Sequence, residues 1–413
     1  MTRTKCDLAV VGGGSAAFFG ALRCAALNPA AEIVFLEKTE RVLQKVLVSG
    51  GGRCNITHDC EDPQELIRSY PRGGKSLLSG FYAFGPADTL DWFRQRGLDF
   101  YTDDIGCVFP ATDSAQSVVD VLLKEAEQLG VRIWQEAGVQ RMLVQEGQFL
   151  LDLPHDNQLS AKKVLFATGG NRQGFGVLRE IGIPVIEPVP SLFPLRLQES
   201  WLSALAGLAV EGCTLSIPQT SFTAQGTVLL THRGISGPGA IRLSSWAARY
   251  LKERKYHSPL VVNWLADSGT QEITLQQLLR WKNEQAGKQV QQQSPFPQLA
   301  LRFWRAVCEQ LPGFSSKRWG NVSSDEINAL HQCLRTMPLT IVGRDQHKQE
   351  YVTCGGVDLE SVNLRTMESK LFQGLFFAGE VLDIDGLTGG YNLQNCWTTG
   401  WLAGTALAQS DVS

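Results

Sequence analysis

The residues of this 413-residue chain whose types and spacing suit chemistry gather around glycine clusters. Gly12-Gly-Gly14 follows the apolar run Asp7–Val11 and opens an apolar stretch from Ser15 to about Leu27. Gly12 permits a tight turn, Gly14 lets backbone come up against a pyrophosphate, and Ala17 is small enough for close helix–strand packing. A helix beginning there offers free N–H groups and a partial positive charge to an anion. Glu37 ends a second run, Glu32–Leu36, where such a turn places the carboxylate that accepts hydrogen bonds from an adenosine ribose. In Ser49-Gly-Gly-Gly-Arg-Cys-Asn55, three bare glycines would admit a flat ligand and Arg53 supplies a charge suited to phosphate. The plainer reading of that loop is a flexible surface turn.

The elements that must position these residues are legible as an α/β pattern. Asp7–Val11 and Glu32–Leu36 read as buried strands around a helix. Leu90–Gly97 and Ser117–Leu129 read as amphipathic helices, the second feeding a strand at Val131–Trp134; Val139 follows an Ala-Gly turn. Another strand is expected near 148–153, and Lys163–Gly170 reads as a buried strand ending in small residues that let a nucleotide approach. Prolines at 184, 188, 190 and 194 punctuate the exit from this unit. Strand-like Thr214–Pro218, Gly226–Leu230 and Leu260–Leu265 then precede helical Thr274–Trp281 and Phe303–Leu311, with Gln289–Pro297 as a polar, mobile linker. The pattern predicts an N-terminal part of a nucleotide-binding domain over 1–190, an inserted domain of strands then helices over 191–340, and a C-terminal part over 341–413.

Composition fits without specifying. Net charge is −3, from 38 basic and 41 acidic residues, so no global field draws the chain to nucleic acid or anionic membrane. Arg3 and Lys5 precede an apolar run, but three glycines interrupt it, so an export signal is rejected. No run of apolar residues is long enough for a membrane span. The ten cysteines show no C-x-x-C pair and, with six scattered histidines, no metal spacing. Reduced thiols in a cytoplasmic protein are expected.

Gly12-Gly-Gly-Ser-Ala-Ala17, Ser49–Asn55, Ala167-Thr-Gly-Gly170, Thr231-His-Arg-Gly-Ile-Ser-Gly-Pro238, Thr366-Met-Glu-Ser-Lys370, Ala378-Gly-Glu380 and Gly389-Gly-Tyr-Asn-Leu-Gln394 occur in one order and spacing. In these the chain resembles the HI0933-like flavoproteins, a family that includes aminoacetone oxidase-type and BaiN-type oxidoreductases. The resemblance implies a split FAD-binding Rossmann-like domain of the glutathione-reductase-2 type, interrupted by an inserted β-barrel-like and helical domain. It implies FAD, with the loop Gly12, Gly14, Ser15, Ala16 and Ala17 and the carboxylate of Glu37 at pyrophosphate and ribose, and Val139 at adenine through its backbone; because no histidine except His58 lies beside Ser49–Asn55, the FAD is expected to be non-covalent. Ser49, Gly50, Gly51, Gly52, Arg53, Cys54 and Asn55 would run near the isoalloxazine and ribityl chain. Gly379, Glu380, Gly389, Gly390, Tyr391, Asn392 and Leu393 would close over the other side, and Lys38, Lys45, Thr168 and Gly169 belong to the same expected set. The segment after Gly390 is expected to start the last helix, its N-terminus stabilising reduced flavin. Several positions depart from the family pattern: Ser15, Ala17, Leu43-Gln44, the short Asn171–Gly176 stretch, and Leu387.

The family is linked to reduction of carbon–carbon double bonds in steroid-like enones and in a uracil ring of large-subunit ribosomal RNA. That chemistry needs hydride from reduced flavin on one carbon and a proton on its neighbour. Cys54 and His232 are the candidate donors, a thiol beside the flavin and an imidazole in a matched motif. Their plainer readings are a small buried loop residue and a histidine that orients a turn. Tyr391 is a third, more readily a packing residue. Only one glycine fingerprint is present, so NAD(P)H as transient electron donor would share the flavin face with the acceptor, or another protein would donate. The acceptor is expected to be a small molecule or a nucleobase, ribosomal RNA included. A competing reading is an RNA- or protein-interaction module with structural FAD. Arg302, Arg305, Lys317, Arg318 and Arg335, with Trp304 and Trp319 among them, could give it a basic, aromatic surface; a solvated helix face is the commoner meaning of such a run.

Overall fold

A computed structural model describes residues 3–145, 147–345 and 352–410. The chain divides into two compact units, Met1–Val189 with Val352–Ser413, and Pro190–Tyr351.

In the first unit, Arg3–Val11 is a central strand, paired in parallel with Ile33–Leu36 on one side and Gln158–Phe166 on the other. Arg132–Trp134 extends the sheet beyond the former, and Leu375–Phe377 beyond the latter. An antiparallel ribbon of Arg141–Gln145 and Gln148–Asp152 is added alongside Gln158–Phe166. Residues of Ile33–Leu36 are buried on both faces, which is why the strand reads as an unbroken apolar run instead of an alternation. The strand ends come out in register: Val11 pairs with Leu36 and Phe166, Leu36 with Trp134, and Phe166 with Phe377. Gly12, Glu37, Ala167 and Ala378 therefore leave the sheet side by side at its carboxyl edge, where open α/β sheets form their ligand crevice.

Helix Ser15–Leu27 packs against the final helix, Tyr391–Gln409. They meet backbone to backbone, since a Cβ on Gly400 would lie 2.7 Å from Ala16 O. Around Phe19, the rings of Phe84, Trp92, Phe93 and Trp397 sit with centroids 4.6–5.8 Å away, which locks the last helix to the first. The small antiparallel sheet of Thr57–His58, Phe100–Thr102 and Cys107–Pro110 was not evident from sequence, because its strands are only two to four residues long.

The second unit holds a closed six-stranded antiparallel barrel, in the order Leu195–Leu197, Gly234–Ser236, Thr223–Thr231, Ala209–Ser216, Ser258–Asn263, Met337–Arg344. Helices Gly237–Trp246, Ala248–Glu253, Gln271–Glu284, Leu301–Glu309 and Ser324–Arg335 accompany it. The last of these starts from a capping box in which Glu326 N–H donates to Ser323 Oγ and Ser323 N–H to Glu326 Oε2. A return to the first unit at 341 was expected; instead Met337–Arg344 closes the barrel by pairing with both Ser258–Asn263 and Leu195–Leu197, and the return falls at Val352–Val357.

Two expectations in this unit are corrected. Gln289–Pro297 is not a loose linker: Val290 and Phe296 are buried, and Trp304 Nε1 donates to Val290 O at 2.8 Å. Trp304 and Trp319 are buried too, stacked on each other with centroids 6.2 Å apart, so neither offers a face for a base. The cations beside them serve the fold: Arg302 donates to Ala206 O, Arg305 to Gln291 O, Arg335 to Leu265 O and Gly269 O, and Lys317 pairs with Glu326.

Candidate functional site

The first unit assembles most of the expected residues along the carboxyl edge of its sheet. Gly12 turns at φ +105°, and a Cβ there would lie 2.6 Å from Ala167 O, so the turn requires glycine on both counts. Gly14 caps the first helix, and a Cβ on it would meet nothing within 4 Å, leaving its backbone open to a ligand. Gly13 N–H donates to Glu37 Oε2 at 2.8 Å, and Thr39 N–H and Oγ1 donate to Glu37 Oε1 at 2.9 and 2.8 Å. Oε2, with a single donor, retains a lone pair for a further donor such as a ribose hydroxyl.

Beside this turn is a pocket lined by Gly12, Glu37, Lys38, Gly138, Val139, Thr168, Asn171, Gln173 and Gly174, among others. Thr168 Oγ1 is buried there with no hydrogen-bond partner among the described residues, and a buried hydroxyl in that state is expected to be satisfied by something that binds. Val139 O accepts only a long bond, 3.4 Å, from Gln173 Nε2. Asn171 and Gln173 escaped the sequence reading. The signal lay in Asn171 as an N-cap: its Oδ1 accepts from Gln173 N–H at 2.8 Å and starts helix Arg172–Glu180 at the pocket wall.

Farther along the crevice, Gly50, Gly51 and Gly52 run at φ +57°, +70° and +89°. A Cβ on Gly51 would meet nothing within 4 Å, and Arg53, exposed, lays its guanidinium 4.3 Å over the Phe109 ring. Asn55 ties this loop to the final helix: its carboxamide donates to Thr57 O at 2.8 Å and accepts from Gly390 N–H at 3.3 Å. Gly389 and Gly390 sit at φ +124° and +89°, and a Cβ on Gly390 would overlap the Thr57 carbonyl. The first backbone bond of the helix is Gln394 N–H to Gly390 O at 2.9 Å, so the N–H groups of Tyr391, Asn392 and Leu393 lie ahead of the helical ladder.

Lys45 and Glu380 bridge the two ends of the chain, with Lys45 Nζ 2.5 Å from Glu380 Oε2 and Thr353 N–H donating to Glu380 Oε1 at 2.8 Å. The carboxylate beside it raises the Lys45 pKa above the ordinary lysine value, so the cation persists through neutral pH. Gly379, at φ +77°, presses on Ala16, and its N–H donates to Thr399 Oγ1 at 2.8 Å. Ser15, Ala16 and Ala17 are buried at the start of the first helix, while Gly169, also left-handed at φ +61°, faces the Lys45–Glu380 pair.

The two proton-donor candidates are placed very differently. Cys54 is fully buried and held at φ +62°, and burial pushes its thiol up to about 12. A side chain without exposed surface cannot touch a ligand in this conformation, so the thiol acts as loop packing. His232 belongs to the second unit, exposed on the turn between Thr223–Thr231 and Gly234–Ser236. Tyr391 is nearly buried, stacked on His58 with ring centroids 4.7 Å apart, and its carbonyl accepts from the Tyr70 hydroxyl at 2.7 Å. Among the described residues no His, Cys, Asp and Glu cluster could hold a metal ion.

The glycine cradle, the ribose-type carboxylate and the orphan Thr168 hydroxyl suit a dinucleotide, and a split Rossmann-type domain around an inserted barrel is the architecture of FAD-dependent oxidoreductases. The chain belongs to the HI0933-like family, matching its Rossmann domain over residues 6–406. It is 30% identical over 416 residues to the ribosomal RNA dihydrouridine synthase of Escherichia coli strain K12, covering 96% of each chain. It is 27% identical over 422 residues to the 3-dehydro-bile acid delta(4,6)-reductase of Clostridium scindens, covering 97% of this chain and 99% of that one. Among solved structures, the 3-ketosteroid delta1-dehydrogenase of Sterolibacterium denitrificans shares the fold, with a TM-score of 0.54, 10% identity, and coverage of 99% of this chain and 100% of that one.

Proposed function

We propose that this protein is an FAD-dependent reductase of a carbon–carbon double bond conjugated to a carbonyl, and that its acceptor is a uracil ring in ribosomal RNA. The observation that carries the reading is the relationship across 96% of both chains to a ribosomal RNA dihydrouridine synthase. The Clostridium scindens relative is named for reduction in a steroid-like acid. A uracil C5–C6 bond and an enone present the same problem, an electron-poor double bond made receptive by a carbonyl.

FAD would be held by Gly12–Ala17 at the pyrophosphate, by Glu37 and Thr168 at the adenosine ribose, and by Ser49–Asn55 with Gly389–Leu393 around its ring system; bound there it supplies the hydride. The final helix would present the N–H groups of its first turn where negative charge grows on reduction. Lys45, fixed by Glu380, keeps a positive charge beside the loops that carry the phosphates. His232, whose side chain is exposed, is the proposed proton donor. NAD(P)H is the proposed electron donor. Among the described residues no helix is long and apolar enough to cross a membrane. None of the ten cysteines forms a disulfide, which suits the reducing cytoplasm.

The test is anaerobic mixing of the FAD-loaded protein with NADH or NADPH, followed by ribosomal RNA lacking dihydrouridine. Bleaching of the flavin band, then its return with RNA and dihydrouridine formed in the RNA, is the expected result. Return with a steroid-like enone but not with RNA would move the assignment to a small-molecule acceptor, the reading that the bile-acid reductase relative favours. Reduction by dithionite but by neither nucleotide would point to a protein donor or a structural flavin.

A further inference from the structure

Residues 69–73 and 383–391 of the first unit run side by side. Arg72 and Asp385 form an antiparallel bridge, and the Arg72 guanidinium closes a fork on the Asp385 carboxylate through Nε and Nη2. The Arg72 side chain is 12% exposed and that of Asp385 is fully buried. Leu387 N–H donates to Ser69 O at 2.9 Å, and the Tyr70 hydroxyl donates to Tyr391 O at 2.7 Å. Gly73 fits so closely that a Cβ would lie 3.1 Å from Asp383 O. From the other flank, the Asn392 carboxamide accepts from Gly386 N–H and donates to Gly386 O, both at 2.9 Å.

A buried ion pair adds little net stability, because taking two charges out of water offsets most of their attraction; fixing one arrangement among several is its better-attested use. What this pair fixes is the loop that carries Gly389 and Gly390 into the first turn of a 19-residue helix. The positive end of that helix acts on charge only within about a turn, so its effect on a reduced flavin depends on where the loop sets it.

We propose that Ser69–Gly73 is a clamp that tunes the reduction potential of bound FAD, with Arg72 as a positioning residue acting through Asp385 and the 386–390 loop. The inference rests on the proposed binding of FAD at the carboxyl edge of this sheet. With the clamp closed, the helix N-terminus would be held where bound flavin gains negative charge and reduction would be favoured; with the clamp open, that placement and its stabilisation would be lost.

The test is the double substitution Arg72→Met with Asp385→Leu, which removes both charges and keeps apolar bulk, beside Tyr70→Phe, which removes one hydroxyl. FAD content, midpoint potential against a redox dye, and sulfite affinity are measured on each; the flavin–sulfite adduct, like reduced flavin, places negative charge on the ring. The double variant is expected to retain FAD while its reduction equilibrium falls about tenfold, about 30 mV for a two-electron couple, with sulfite binding weakened by a similar factor. Tyr70→Phe should shift both quantities in the same direction by less. Potential and sulfite affinity equal to wild type in FAD-loaded variants would overturn the clamp. Should the double variant fail to fold or to hold FAD, Tyr70→Phe decides alone by the same criterion. A wild-type protein that binds no FAD removes the FAD reading and the clamp together, whereas a reducible wild type with unresponsive variants removes the clamp only.

Discussion

Lys45 Nζ and Glu380 Oε2, separated by 335 residues in sequence, meet at 2.5 Å. The contact joins the short helix Gln44–Val48, which precedes the glycine triplet, to the strand end that follows Phe377, closing the crevice from both parts of the split domain. Its worth for folding is modest, since the Lys45 side chain is 65% exposed and solvent screens it. Its consequence for pH has a definite sign. A lysine whose folded pKa is raised contributes its stability fully below the unfolded value of 10.5, and loses it as pH rises through the higher folded value. Thermal melts should therefore be insensitive to this pair from neutral pH to about pH 10 and fall above it. Lys45→Met should remove that alkaline step, and differential scanning fluorimetry across the range checks both.

The glycines of the crevice are not equivalent. Gly390→Ala must place a side chain at φ +89° and drive it into the Thr57 carbonyl, whereas Gly51→Ala meets φ +70° but open space. The first should cost about 3 kcal/mol or more from strain plus overlap and abolish FAD retention. The second should cost about 1 kcal/mol and leave the fold intact. Urea titrations of both variants, with FAD content after gel filtration, separate the two cases.

Thr168 allows a test in which stability and affinity move in opposite directions. Its buried Oγ1 lacks a partner among the described residues, so Thr168→Val should leave the apoprotein as stable or raise its stability by about 1 kcal/mol. If that hydroxyl binds the cofactor, the same change should weaken FAD binding several-fold, roughly the worth of one hydrogen bond. A loss of apoprotein stability with unchanged FAD affinity would remove Thr168 from the site.

These positions also show which parts of the crevice a sequence can place. Gly12, Gly14 and Glu37 were legible because each place imposes a local requirement that few residue types satisfy: a positive φ at Gly12, an unobstructed backbone at Gly14 and a carboxylate at a strand end for Glu37. Lys45–Glu380 and Arg72–Asp385 were not legible as pairs, because long-range pairing leaves no local periodicity. Trp304 and Trp319 misled for a related reason. An aromatic among arginines reads equally as a stacking platform or as a core residue flanked by cations that cap backbone carbonyls, and only burial separates the two. The return at Val352 was missed because Met337–Arg344 alternates as any half-buried strand does, and its partners decide which unit owns it.

Cys54 and His232 make contrasting predictions for proton delivery. Cys54→Ala removes a buried thiol that burial has pushed up to about 12, so it should cost about 1 kcal/mol of stability. It should leave the pH dependence of acceptor reduction unchanged. His232→Gln keeps a polar side chain on an exposed turn and should leave melting temperature and FAD content as they were. Flavin reduction by the nucleotide should be unaffected, because hydride arrival requires no proton from this residue. Reoxidation by the acceptor should slow by about a hundredfold, the lower range for loss of a general acid. Stopped-flow traces of the two half-reactions check both variants together: a His232→Gln protein that reoxidises at the wild-type rate would exclude the imidazole as donor.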